Sequence, residues 1–257
     1  MKNRKLRDLA KEHCDHAVNL DDGTENYDLE IPETIYREIN EKIGKRGPIK
    51  ELYGKIHKSR ADLYDSRDNA YMGILCALTG RNDEAEEIYM KLCEMNMTEG
   101  MPAALLARSL GCKNEADEIA KDAMKRKQDH GLVDGSIIHG TTRHTAEFAI
   151  YAFVDGDVGK AKEHYEAVGE KCGKKGELYL RSVIHDSPDP SDNALMLLLS
   201  TMLGSEETGI LQELEKTRGK SGSLFMWRYA SSDKIDIAEN AVMGIYHCLK
   251  AGKVLGK

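Results

Sequence analysis

Residues 131–161 read GLVDGSIIHGTTRHTAEFAIYAFVDGDVGKA, and the order of parts in that stretch decides the fold. A short apolar run (Ile137, Ile138) leads into a polar clasp from His139 to His144, and an apolar helix follows. Asp155-Gly156 stops that helix, because glycine supplies the left-handed conformation that closes a helix C-terminus. A second helix is expected to begin near Lys160.

The same parts recur along the chain. An alanine follows a polar cluster at Ala70, Ala146, Ala194 and Ala241, and a glycine closes the helix at Gly80, Gly156, Gly204 and Gly252. A shorter version runs from Pro102-Ala103 to Gly111. Five positions after each of the first four closures stands a small residue, Ala85, Ala116, Ala161 or Gly209, which lets the next helix pack closely. Helices such as AYMGILCAL, AEFAIYAF, ALMLLLSTML and AVMGIYHCL are apolar all round, so they predict an inner layer. Their successors, EAEEIYMKL, EADEIAKDAMKRK and KAKEHYEAV, are amphipathic and predict an outer layer. Units spaced by roughly 34–48 residues fit helix-pair repeats. Extended, glycine-led runs (GLVDGSII, GELYLRSVI, GSLFMWRYA) enter three of the inner helices, and Ser136–His139 echoes Ser182–His185. The lysine-bearing piece 169–176 follows no strand and reads as a loop.

The expectation is therefore an all-α fold, a single domain over 1–257. Residues 1–60 would form N-terminal helices or a cap, and 61–257 helical-hairpin repeats curved into a partial or closed α/α toroid. Composition agrees: five prolines and 32% charged residues suit a globular helical protein. The net charge of −7 opposes a nucleic-acid partner, since phosphate binding needs a basic field. No apolar run approaches a membrane span, and the basic N-terminus lacks the apolar core of a secretory signal. Six cysteines without a CxxC pair read as free thiols in a reducing cytoplasm.

Inner and outer helices joined by long, glycine-bearing loops resemble the α/α-toroid superfamily, which includes terpenoid cyclases, prenyltransferases and six-hairpin carbohydrate-active enzymes. The resemblance covers about residues 60–252 and rests on spacing and composition. It implies a funnel where the inner-helix N-termini gather. The departures remove the chemistry of the first two groups. There is no DxDD motif, no cysteine has an aspartate two residues before it, and Gln128 and Gly131 are only a partial echo of the Q-x3-G-x-W repeat.

Polar residues at the inner-helix starts are the candidates for chemistry. Asp68, His139, His185 and Asp236 are the candidate acid–base groups, able to move protons on a carbohydrate or similar polar metabolite. Arg67, Arg143, His144, Asn193, Trp227 and Asn240 are the candidate ligand contacts; an inner-helix N-terminus favours anionic groups. Each has a plainer reading. Asp68, Thr142, Ser191 or Asp192, and Asp236 sit where N-caps belong. Arg67 and Arg143 suit pairing with rim carboxylates, and Trp227 suits a buried loop anchor. His13 and His16 lie at a chelating interval, but without a second cluster they read as a solvated helix face. No P-loop, dinucleotide fingerprint, nucleophile elbow or zinc-protease motif is present, so no cofactor or metal is expected. The competing expectations are a repeat protein holding a partner in its concave face, and a cyclase-like scaffold around an apolar ligand.

Overall fold

Five helices end on the same hydrogen bond. Arg81 N–H donates to Cys76 O, Cys112 to Ala107, Asp157 to Ala152, Ser205 to Ser200 and Lys253 to Cys248, at 2.8–3.0 Å. The residue before each donor is a glycine with φ between 80° and 96° (Gly80, Gly111, Gly156, Gly204, Gly252). This is the Schellman closure, and it turns the chain back for the next helix.

The computed structural model describes residues 66–94, 96, 98–125, 128–129, 131–133, 140–205, 207–216 and 237–256. The segment expected to form N-terminal helices, the His13/His16 pair, His139, Trp227 and Asp236 lie outside the described residues, as does the Asn240 side chain.

The described chain is mostly helical. In order come α1 (Ser66–Leu78), α2 (Asn82–Glu94), α3 (Met101–Ser109), α4 (Lys113–Ala123), β1 (Gln128–Asp129) and β2 (Leu132–Val133). Then follow α5 (Thr142–Val154), α6 (Val158–Ala167), β3 (Lys174–Lys175), β4 (Leu178–Tyr179), α7 (Pro190–Met202), α8 (Thr208–Glu215) and α9 (Ile237–Lys250). Residues 169–176, read from sequence as loop, instead belong to a π-helical turn that continues α6 (Val168–Cys172) and to the start of a β-hairpin. Glu207, ahead of α8, accepts hydrogen bonds from Tyr165, Tyr179 and Lys174, which pins that hairpin to α6.

Helix pairs α1/α2, α3/α4, α5/α6 and α7/α8 pack within themselves. In α2, α4, α6 and α8 only a stripe is buried: Ala85, Ile88, Tyr89 and Leu92 in α2; Ala116, Ala120 and Ala123 in α4; Ala161, His164 and Ala167 in α6; Ile210 and Leu214 in α8. The other helices are buried nearly all round. They touch in the order α1–α3–α5–α7–α9, and α9 also touches α1. Ala70, Ala146, Ala194 and Ala241 are each fully buried in this inner set. Among the expected close-packing positions, Ala85, Ala116 and Ala161 are also fully buried, whereas a Cβ on Gly209 would first meet the side chain of Glu177.

Gly73 marks the tightest approach in α1. A Cβ there would stand 2.8 Å from both Leu106 methyls on α3 and 3.2 Å from Ile88 on α2. Gly73→Ala is expected to destabilise by about 1–3 kcal/mol through overpacking, despite alanine's better helix propensity. Urea unfolding measures it; an increase in stability would show that the two helices have room to separate.

The segments entering α5 and α7 are tied together. Thr141 bridges to Val133 and to Ser182, Thr142 N–H donates to Arg181 O at 3.0 Å, and the Thr142 hydroxyl donates to Leu180 O at 2.5 Å. This places the N-terminal ends of α5 and α7 side by side under shared backbone. No described helix is long and apolar enough to cross a membrane.

Candidate functional site

The N-terminal ends of α1, α3 and α5 enclose a pocket of about 270 Å³. Ser66 and Arg67 come from α1, Gly100, Met101 and Pro102 from the start of α3, His144, Glu147 and Phe148 from α5. Glu99 and Ala123 complete the wall.

Glu147 is the unusual member. It stands one residue after the packing alanine Ala146, in a helix otherwise apolar from Ala146 to Val154, and is only 2% exposed. Burying a carboxylate demands partners. Arg67 Nε lies 2.7 Å from Oε1, and the Tyr71 hydroxyl donates to the same oxygen at 3.2 Å. Oε2 accepts no hydrogen bond from the described residues. Burial, with Glu147 beside it, pushes the Tyr71 phenol well above its usual range, so Tyr71 stays a donor. His144 stands one turn before Phe148 on the same wall, and its Nδ1 is 2.7 Å from the Thr141 hydroxyl, which also accepts the His144 backbone N–H at 3.3 Å.

A second polar knot lies beside it, between α5 and α7. Arg143 Nε donates to Asp192 at 2.5 Å, and its Nη2 reaches Ser191 at 2.6 Å and Asp189 at 3.1 Å. Both arginines thus pair with rim carboxylates. The caps differ from those expected. Thr141, not Thr142, caps α5, because Thr142 spends its hydroxyl on Leu180 O. Asp189, not Ser191 or Asp192, caps α7, accepting from the amides of both. Pro190 at the first helical position places the cap at Asp189, two residues earlier than Ser191.

Asp192 is 1% exposed, and its Oδ2 is buried without a hydrogen bond. Burial, aided by Asp189, raises its pKa to about 7 against the pull of Arg143 and Arg181. Cys172 is the remaining titratable neighbour, its thiol pushed up by burial. Burial also opposes ionisation of Asp189, yet Arg143 and the Ser191 hydroxyl hold that carboxyl below its usual value. The two aspartates therefore act with opposite sign. Asp192 binds its proton more tightly folded than unfolded, so its contribution to stability falls as pH rises from about 4 towards 7. Asp192→Asn is expected to remove that fall, so the variant gains on the native protein between pH 5 and pH 8. Thermal midpoints across the range report it; parallel curves would contradict the raised pKa.

The remaining expected residues disperse. Asn193 is fully buried, but its amide is spent on structure: Oδ1 accepts from Tyr179 N–H at 2.7 Å, and Nδ2 donates to Tyr179 O at 3.0 Å and Asp189 O at 2.9 Å. Thr145 does the same for β2, accepting from Val133 N–H at 2.9 Å. His185 sits 2.8 Å from the Ser182 hydroxyl in the turn after β4, away from the pocket wall. Asp68 is partly buried in the first turn of α1 and does not line the pocket. Of the residues named from sequence, the pocket gathers Arg67 and His144; Glu147, Tyr71 and Glu99 were not anticipated.

Among the described residues no cluster of histidine, cysteine or carboxylate side chains has the makings of a metal site. Cys76, Cys172 and Cys248 are buried, Cys112 is partly exposed and Cys93 exposed, and these five form no disulfide. Comparison with family models, curated proteins and solved structures returns no match.

Proposed function

We propose that this chain is a helical-hairpin α/α toroid that holds a small polar metabolite in the pocket at its inner-helix N-termini. The observation that carries the reading is Glu147, a buried carboxylate in a pocket wall with one oxygen taken by Arg67 and Tyr71 and the other without a hydrogen bond from the described residues. Buried, oriented ionisable groups in a cleft are the usual signature of a binding or proton-transfer site. Glu147 is placed to accept a proton or a hydrogen bond, and His144 offers a second proton carrier on the same wall. The return of helix contacts from α9 to α1 supports a closed arrangement over an open arc, and so a ligand over a partner in a concave groove. With Asp68 off the pocket wall, the geometry favours a small polar ligand without selecting a sugar.

Thermal shift and methyl NMR on the methionine-labelled protein test this, using a panel of monosaccharides, polyols, amino acids and dicarboxylates. At least one compound should move the Met101 methyl signal and raise the unfolding midpoint. Arg67→Ala and His144→Ala should each weaken that compound about tenfold or more, or roughly 1.4 kcal/mol. A panel that leaves Met101 unmoved throughout would end the reading.

A further inference from the structure

The pocket wall is chemically lopsided, and the asymmetry selects a ligand class. This step rests on the pocket being a ligand site, as argued above. One end is the start of α3, a nine-residue helix preceded by Gly100 at φ 93°, where no side chain accepts from the first amides. Pro102 has no N–H, so the Met101 amide and the helix dipole form the electropositive feature at that end. A carboxylate is the natural occupant of such an end.

A second, independent feature lies on the α5 side. Glu147 is 2% exposed, both of its close partners sit on Oε1, and Oε2 accepts no hydrogen bond from the described residues. A ligand donor in the pocket would give Oε2 the partner that the described residues do not supply. The charges then discriminate among anions. Arg67 is one positive charge, whereas Glu147 and Glu99 are two negative ones, so a dianion such as phosphate meets net repulsion. A ligand carrying its own cation does not. Met101, Pro102, Ala123 and Phe148 add an apolar side.

We propose that the pocket takes a small α-amino acid, with its carboxylate at the start of α3, its ammonium on Glu147 Oε2 and its side chain towards Met101 and Phe148. Arg67 and Tyr71 act as positioning residues, orienting the Glu147 carboxylate through Oε1. The zwitterion offers a partner to both ends at once.

The experiment is calorimetry with methyl NMR of Met101 on the full chain. The probes are L-valine, 2-hydroxyisovalerate, isovalerate, valinamide and glucose. L-valine should bind and move the Met101 signal. Isovalerate, which lacks the donor, and valinamide, which lacks the carboxylate, should each bind at least tenfold more weakly. 2-Hydroxyisovalerate should also be weaker, and Glu147→Gln should cost L-valine tenfold or more while leaving the hydroxy acid within threefold. The comparison among probes on the native protein decides the matter even where Glu147→Gln fails to fold. Equal binding of isovalerate, valinamide or the hydroxy acid overturns the proposal. A response of Met101 to glucose but not to L-valine also overturns it while leaving the ligand site standing. Silence from every probe here and from the wider panel ends both.

Discussion

Replacing Arg143 by alanine is expected to destabilise the protein by about 3–5 kcal/mol, the range for removing one partner of a buried ion pair. Arg143 faces Asp189, Ser191 and Asp192 together, with distances of 2.5–3.1 Å. Asp192 is almost wholly buried, so without the guanidinium it must either ionise unpaired or stay protonated. The second route becomes harder as pH rises, so the loss should be larger at pH 8 than at pH 5. Urea unfolding at both values checks the size and the trend. The double variant Arg143→Ala with Asp192→Asn should regain part of the loss, since it removes the orphaned charge. A loss below 1 kcal/mol at pH 8 would mean that water reaches Asp192 and replaces its partner.

Asn193→Leu is the second large effect. Leucine is close in size, but it strands the Tyr179 N–H and C=O and removes a bond to Asp189 O, all in a buried setting. Each buried group left unsatisfied costs about 1–3 kcal/mol, so for the two groups of Tyr179 a total loss of roughly 2–6 kcal/mol is expected. The damage should be local as well as global: the Tyr179 amide should lose its protection against hydrogen exchange before the helix amides of α7 do. Retained protection at Tyr179 would show that the β3–β4 pairing alone holds this segment.

Much of the helical scaffold was legible because its signals are local. A glycine closure or an all-apolar helix is written in consecutive residues, and Gly80, Gly156, Gly204 and Gly252 close their helices as the spacing required. The site was harder to read. Capping chemistry made Asp68 and Asp192 look alike, yet Asp192 is buried against a partner 49 residues away in the chain. The polar residue just before each packing alanine, Thr145 or Asn193, resembles a rim ligand until the incoming strand is seen resting on it. Glu147 has one visible signal, a lone charge within an apolar helix, but it stands past the helix start where caps and rim ligands are expected. His185 was prominent through the echo of two tetrapeptides, but its described partner is the serine of its own turn.

The contact of α9 with α1 has a bearing on how the chain acquires its structure. These helices lie roughly 160 residues apart in sequence, so their meeting closes the longest loop in the described fold. During synthesis, α1 and α7 must wait with apolar faces uncovered until residues 237–250 emerge and dock between them. Such non-local closure slows folding and leaves the nascent intermediate open to association with its own kind. A nascent-chain series released at successive lengths would locate that final docking step, and protease resistance of α1 should rise only once α9 is available.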